Sequence, residues 1–112
     1  MTEIIKGNVN AEDKRNIYTL TRARGTSIQD CDDGFNIDVA MWLEYTDTDR
    51  DGNDVHVLSI LDTERHKYET ISRTFREEFE YIARLMDDEL FSVHVVKGTT
   101  KSGRTFVTCE LA

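Results

Sequence analysis

Proline is absent from the 112 residues of this chain. The chain also contains no low-complexity tract and no internal repeat, so no segment has the composition of a linker between domains. Domains of about 100 to 150 residues are the commonest size, and splitting a chain of this length would leave two marginal cores. We therefore expect a single domain over residues 1–112, with the chain loosely held up to about residue 12.

Long apolar runs and cysteines are scarce. No stretch approaches the roughly 18 apolar residues of a membrane-spanning helix, and the start MTEIIKGNVN lacks the basic-then-apolar pattern of a secretory signal. Cys31 and Cys109 show no CxxC spacing, which favours two reduced thiols over a disulfide or a metal site. These absences predict a cytoplasmic protein.

Charge is unevenly distributed along the chain. The net charge of −8 argues at first against a nucleic-acid partner, because Lys and Arg bind phosphates and carboxylates repel them. However, the segments 14–24 and 97–104 contain cations and no acidic residue, whereas the segment 30–54 is rich in carboxylates. The fold can therefore present a basic groove beside an acidic flank.

Alternating patterns with β-branched residues predict six strands. These cover Asn16–Ala23, Asn36–Asp47, Val55–Leu61, Lys67–Ile71, Phe91–Lys97 and Arg104–Leu111. In the strand Asn36–Asp47, one apolar face is expected to enter the core; it contains Ile37, Val39, Met41, Leu43 and Tyr45. Trp42 falls on the opposite, polar face, where burial does not explain its presence.

One helix is predicted after the fourth strand. Four apolar residues recur there at helical spacing: Phe75, Phe79, Ile82 and Met86. Thr74 and Glu77 have the spacing of a capping box, and Ser72 is an alternative cap. Without the first strand, the order of three strands, one helix and two strands is that of an OB-fold. We expect a mainly β fold with one α-helix: an OB-fold-like antiparallel barrel of five to six strands, with the helix between the third and fourth barrel strands.

No motif for catalysis or metal binding is complete. The segment 47–52 imitates the start of a calcium loop, but Leu58 occupies the position of the closing glutamate, which favours a solvated hairpin tip. His56, His66 and His94 share no ligand spacing, and no set of nucleophile and base is present. The sequence therefore predicts no enzymatic activity, no metal and no cofactor.

The segment 97–106, KGTTKSGRTF, has the chemistry of a nucleic-acid contact. Its glycines allow close approach of a ligand, its cations suit phosphates, and its last aromatic side chain is expected to point outward for base stacking. The candidate binding residues in this segment are Lys97, Gly98, Thr99, Lys101, Gly103, Arg104 and Phe106. Elsewhere, Trp42 and Tyr68 are candidates for stacking, Arg22 and Arg24 are candidates for phosphate contacts, and Tyr18 is a further aromatic candidate.

Two patterns in the second half carry a family resemblance. Residues 68–74 read Y-x-x-I-S-x-T, and residues 91–111 read F-x-V-x-V-V-x-G-T-x-x-x-G-x-x-F-x-x-x-x-L. This half resembles the small single-stranded-DNA-binding proteins of tailed phages, in particular those of the protein-primed Bacillus phages. The resemblance implies sequence-nonspecific coating and protection of displaced single strands during phage DNA replication in the host cytoplasm. It also implies tyrosine stacking by Tyr68 and a DNA-contacting loop with Gly98, Thr99 and Gly103.

Single-stranded DNA is therefore the expected partner, and neither a membrane nor a small-molecule substrate is expected. The sequence leaves self-association and contact with phage replication proteins open. A second hypothesis is an acidic DNA mimic, an inhibitor or adaptor that binds a basic host protein through the carboxylates of the segment 30–54.

Overall fold

The computed structural model describes residues 2–87 and 89–112. The elements in chain order are β1 (Glu3–Gly7), α1 (Lys14–Arg22), β2 (Thr26–Ser27), a short 3-10 turn (Ile28–Asp30), β3 (Asn36–Thr48), β4 (Asp54–Asp62), β5 (Lys67–Thr70), α2 (Arg73–Met86), β6 (Phe91–Thr99) and β7 (Thr105–Leu111). Met1 and Asp88 lie outside the described residues.

All seven strands belong to one curled sheet. Six follow the order β2-β5-β4-β3-β6-β7, and β1 pairs with β3 beside this path. The pairs are antiparallel except that of β2 with β5. The sheet forms a half-barrel whose path ends at β2 and β7, and α2 contacts β7. The mainly β prediction is confirmed and the sheet is compatible with an OB-fold, but the described residues form two α-helices where one was predicted.

The predicted strand Asn16–Ala23 is wrong, because this segment forms the helix α1. Asp13 caps the helix, with its side chain accepting a hydrogen bond from the backbone amide of Asn16. Leu20 is fully buried and Ile17 packs beside it, in a second apolar cluster on the sheet. The alternating β-branched residues misled the prediction: their strand preference is weak compared with the burial that α1 gains on the sheet.

The predicted single core face of β3 is also wrong, because the pairing of β3 with β4 shifts between Val39 and Met41. Such a bulge reverses the side-chain alternation beyond it. Val39 therefore faces the main core, whereas Leu43 belongs to the second apolar cluster under α1. Trp42 turns toward α2 and packs against the main core.

The helix α2 confirms the predicted apolar stripe. Phe75, Phe79 and Ile82 are buried in the main core, and Met86 packs against it. Ser72 is the N-cap, with its hydroxyl accepting a hydrogen bond from the amide of Phe75, so the alternative cap is the correct one and the capping box is not.

The N-terminal segment, which the sequence predicts to be loosely held, contains the strand β1. The strand β6 pairs only with the first part of β3, from Asn36 to Val39, which leaves this edge of β3 unpaired further along. The backbone of β1 pairs there, from Glu3 opposite Thr46 to Gly7 opposite Leu43. An unpaired edge needs partners for its amides and carbonyls, and β1 supplies them.

A cluster of ionisable side chains connects β1, β3, β4 and α2. The Glu44 carboxyl is fully buried, and its Oε1 lies 2.7 Å from His56 Nε2 and 3.9 Å from Arg76 Nε. Lys6 pairs with Glu80 at 2.6 Å. Burial, followed by the neighbouring charge of Glu80, raises the pKa of Glu44 to about 7. Glu44 is therefore a buried carboxyl group that gains or loses its proton near neutral pH.

The remaining expectations concern thiols, metals and membranes. Cys31 and Cys109 are both free and buried. At the predicted hairpin tip, the Asp49 carboxylate accepts hydrogen bonds from the amides of Asp51 and Asn53. Among residues 2–87 and 89–112, no group of three or more His, Cys, Asp or Glu side chains is placed to hold a metal ion. Over the same residues, no helix has both the length and the apolar character required to cross a bilayer.

Candidate nucleic-acid interface

The turn between β6 and β7 is well ordered by its own hydrogen bonds. The amide of Thr100 donates to the carbonyl of Arg104, and the Thr100 hydroxyl accepts from the amide of Arg104. Gly103 has φ +86°, a conformation that side chains with a Cβ rarely adopt. Lys101 and Arg104 are exposed, and no carboxylate of the described residues lies within ion-pair distance of either. The turn therefore presents two cations to solvent.

A cleft of about 660 Å³, which we call the hairpin cleft, lies between this hairpin and the start of α2. It is lined by Gln29, Ser72, Thr74, Lys97, Gly98, Thr99, Thr105, Phe106 and Val107. Among the described residues, the lining contains hydroxyls, an amide, a cation and an aromatic ring, and no carboxylate. The N-terminus of α2 adds the partial positive charge of its free amides. These are the groups that a phosphodiester backbone and its bases require.

Phe106 and Gly98 are directly opposite each other on β7 and β6. The Phe106 ring lies over Gly98 so closely that a Cβ at Gly98 would approach its Cζ to 2.4 Å. The ring nevertheless remains 37% exposed. Gly98 thus makes room for an aromatic ring, whereas the sequence suggested that it makes room for a ligand. The result is a ring that rests on the strand and is open to solvent on the cleft side.

Lys97 is fixed at the base of the hairpin cleft. Its ammonium donates a hydrogen bond to the carbonyl of Gln29, and its backbone amide donates to Asp33 at 2.9 Å. Gln29 belongs to the segment that follows β2, so this contact attaches β6 to the other end of the sheet. Lys97 and Gln29 therefore position the cleft as well as line it.

Tyr68 and Arg24 lie in a second cleft, beside β5. Tyr68 is 8% exposed, and its ring packs against Phe35 with centroids 5.6 Å apart. Burial raises the pKa of its phenol. Phe35 itself is an exposed aromatic that sequence reasoning missed; its position after the turn glycine Gly34 was the available signal.

Trp42 and Arg22 lie apart from the hairpin cleft. The Trp42 ring meets Phe79 edge to face at 5.5 Å and borders a different cleft, which is also lined by Glu80 and Asp87. Arg22 donates a hydrogen bond to Thr2 and lies 3.8 Å from the carboxylate of Asp47. Of the predicted candidates, the hairpin cleft therefore gathers Lys97, Gly98, Thr99 and Phe106. Lys101, Gly103 and Arg104 belong to the turn between β6 and β7 and do not line the cleft, and Trp42, Tyr68, Arg22 and Arg24 lie elsewhere.

The fold is that of a small, mainly β protein, and the described lining of its hairpin cleft has the chemistry that suits a nucleic acid. The family model described as phage single-stranded DNA-binding protein matches residues 1–112, the whole chain. The chain belongs to this family of phage single-stranded-DNA-binding proteins. No curated protein and no solved structure matches it significantly.

Proposed function

We propose that the protein binds single-stranded DNA without strong sequence preference through the hairpin cleft, with an OB-fold-like half-barrel as the scaffold. Phe106 stacks a base, and Lys97, Lys101 and Arg104 contact phosphates. The observation that carries this proposal is the exposed Phe106 ring beside a cleft without carboxylates in a chain of net charge −8. Stacking on one ring accepts any base, because every base has a π-face.

The biological role we propose follows from the family. The protein coats and protects displaced single strands during phage DNA replication in the host cytoplasm. Family membership supports DNA as the partner, and this favours the DNA binder over the acidic mimic. Because the Asp33 carboxylate accepts a hydrogen bond from the Lys97 amide, part of the acidic segment helps to build the cleft.

The salt dependence of binding tests the proposal. We expect the logarithm of the affinity for a dT oligonucleotide to fall linearly with the logarithm of salt concentration, at about −0.7 per phosphate neutralised. The double variant Lys101→Ala, Arg104→Ala removes two phosphate contacts, so its slope should be shallower by about 1.4, and its affinity should fall equally for dT, dA and dC sequences. Fluorescence anisotropy at several salt concentrations measures both.

Arg50→Ala is the matched control, because Arg50 is an exposed arginine at the tip of the other long hairpin. It should keep the wild-type slope. Failure of the wild-type protein to bind any single-stranded oligonucleotide at low salt would contradict the proposal. An equal loss of slope in the Arg50 variant would show that the cations act through net charge and not through the hairpin.

The position of Trp42 gives a separate spectroscopic prediction. Because its ring packs on Phe79 and lies in a cleft separate from the hairpin cleft, bound DNA should not stack on it. We expect saturation with dT oligonucleotide to leave the tryptophan emission within about 10% of its free value, since stacking on a base needs the exposed face of a ring. Strong quenching of this single tryptophan would place the strand near α2 and contradict the assignment of the site.

A further inference from the structure

Two clefts lie near α1: the one beside β5 that contains Tyr68 and Arg24, which we call the central cleft, and a smaller one on the helix itself, which we call the helix cleft. The central cleft, of about 610 Å³, is lined by Thr19, Ala23, Arg24, Gly25, Thr26, Arg65, His66, Lys67 and Tyr68. The helix cleft, of about 390 Å³, is lined by Lys14, Arg15, Tyr18 and Thr19. Thr19 lines both, so the two clefts are adjacent.

The central cleft is connected to the hairpin cleft by two parallel segments. The strands β2 and β5 pair in parallel, with Thr26 opposite Tyr68 in the central cleft. Along the same direction, Gln29 and Ser72 line the hairpin cleft. Gln29 lies three residues after Thr26 and Ser72 lies four residues after Tyr68, so each separation is at most about 10 to 13 Å, the length of fully extended chain. The hairpin cleft therefore lies near the central cleft, and the helix cleft adjoins the central cleft through Thr19.

Charge distinguishes these three clefts from the two that border α2. Among the described residues, the lining of the hairpin, central and helix clefts contains six lysines and arginines and no carboxylate. Five of these cations are available to a ligand, because the sixth, Lys67, is buried and pairs with Glu69 at 3.4 Å. The clefts along α2 contain both signs of charge: Arg73 with Glu77 and Glu78 in one case, and Lys6 and Arg84 with Glu80 and Asp87 in the other. In an acidic protein, neighbouring clefts whose described lining has cations and no carboxylate indicate a path for a polyanion.

Tyr18 supplies an aromatic ring at the far end of this path. It is 67% exposed, which burial in the core does not explain. Lys14 precedes it by one helical turn, on the same face of α1, and Arg15 lines the same cleft. Among residues 2–87 and 89–112, no carboxylate forms an ion pair with Lys14 or Arg15. An exposed ring beside unpaired cations is the arrangement that stacks a base and holds its phosphates.

We propose that α1 is a second contact zone for single-stranded DNA. A strand held in the hairpin cleft continues through the central cleft, past Arg24 and Arg65, and reaches α1. There Tyr18 stacks a base, and Lys14 and Arg15 contact phosphates. This inference rests on the proposed function of the hairpin cleft, and it adds a length requirement: only an oligonucleotide long enough to leave the hairpin cleft contacts α1.

Oligonucleotide length therefore tests the second zone. We compare Tyr18→Ala and the double variant Lys14→Ala, Arg15→Ala with wild-type protein, using dT oligonucleotides of about 4 and about 16 nucleotides, the limits of site size for one OB-fold. For the longer oligonucleotide, Tyr18→Ala should weaken binding about 5- to 100-fold, the usual range for loss of one stacked base. Affinity for the shorter one should stay within about twofold of wild type, because it fits within the hairpin cleft.

Tyr81→Ala is the matched control, because Tyr81 is a 57% exposed tyrosine on the other helix, in a cleft lined by Glu77 and Glu78. It should leave both affinities unchanged, and circular dichroism verifies that each variant is folded. Unchanged binding of the longer oligonucleotide by Tyr18→Ala, an equal loss for both lengths, or an equal loss in Tyr81→Ala would each overturn the second zone. Failure of wild-type protein to bind either length overturns the proposed function instead.

Discussion

Replacing Phe106 by alanine is expected to weaken binding of a dT oligonucleotide about 5- to 100-fold. The removed interaction is base stacking, which contributes about 1 to 3 kcal/mol per base. The ring rests on Gly98 and faces the hairpin cleft, so the strand β7 holds it in position before DNA arrives. Because the variant retains its cations, the salt slope of binding should remain that of wild type. Titrations at several salt concentrations separate the two effects.

Two further variants make this result specific. Gly98→Ala keeps the ring but forces it to move, because the new Cβ would lie 2.4 Å from its Cζ; binding should weaken here too. Leu111→Ala shortens a side chain of comparable exposure on the same strand, 43% against 37% for Phe106, and should bind as wild type does. If Leu111→Ala weakens binding as much as Phe106→Ala does, the loss reflects the strand β7 in general and contradicts stacking.

Replacing Glu44 by glutamine is expected to remove most of the pH dependence of stability near neutrality. Burial raises the pKa of Glu44 from 4.5 to about 7, so between these values the folded protein holds a proton that the unfolded chain releases. The free energy of unfolding of the wild type should therefore fall as pH rises from about 5 to about 8, by up to about 3 kcal/mol. Glutamine has no proton to lose, so the variant should be the more stable protein at pH 8.

Urea denaturation at pH 5, 6, 7 and 8 measures this effect for both proteins. Glu110→Gln, at an exposed position on β7, controls for the change in net charge. A decline in stability with pH that is equally steep in wild type and Glu44→Gln would show that Glu44 is not the titrating group. A loss of stability in Glu44→Gln at every pH would show that the carboxylate is stabilised by His56 and Arg76 more than burial destabilises it.

The β-rich architecture and the position of α2 could be predicted because the apolar residues in these strands and in α2 recur at one clear spacing, that of a strand or that of a helix. The stripe of Phe75, Phe79, Ile82 and Met86 fits only a helix, and the alternation of Val107 and Cys109 placed Phe106 outward. The outward placement of Phe106 is the part of the candidate site that the sequence could supply, because it depends on one strand alone.

The sequence-based predictions failed for segments whose structure is decided by contacts with distant parts of the chain. α1 contains alternating Thr and Ile residues typical of a strand, yet the need to cover Leu43 and Leu61 on the sheet makes it a helix. The bulge between Val39 and Met41 depends on the partner strand, and it moves Trp42 away from the solvated face on which a stacking role was based. The proximity of the hairpin and central clefts depends on the parallel pairing of β2 with β5, which joins residues 42 positions apart and leaves no local signal.

The bulge in β3 also affects how the molecule unfolds. The strand β3 has 13 residues, and its side-chain alternation reverses at the bulge. It therefore contributes to the main core at one end and to the second cluster under α1 at the other. Neither cluster can lose its packing on β3 without disturbing the other. The two helices, on different clusters and separated by fifty residues of chain, are thereby coupled thermodynamically, so the chain should melt in a single cooperative transition.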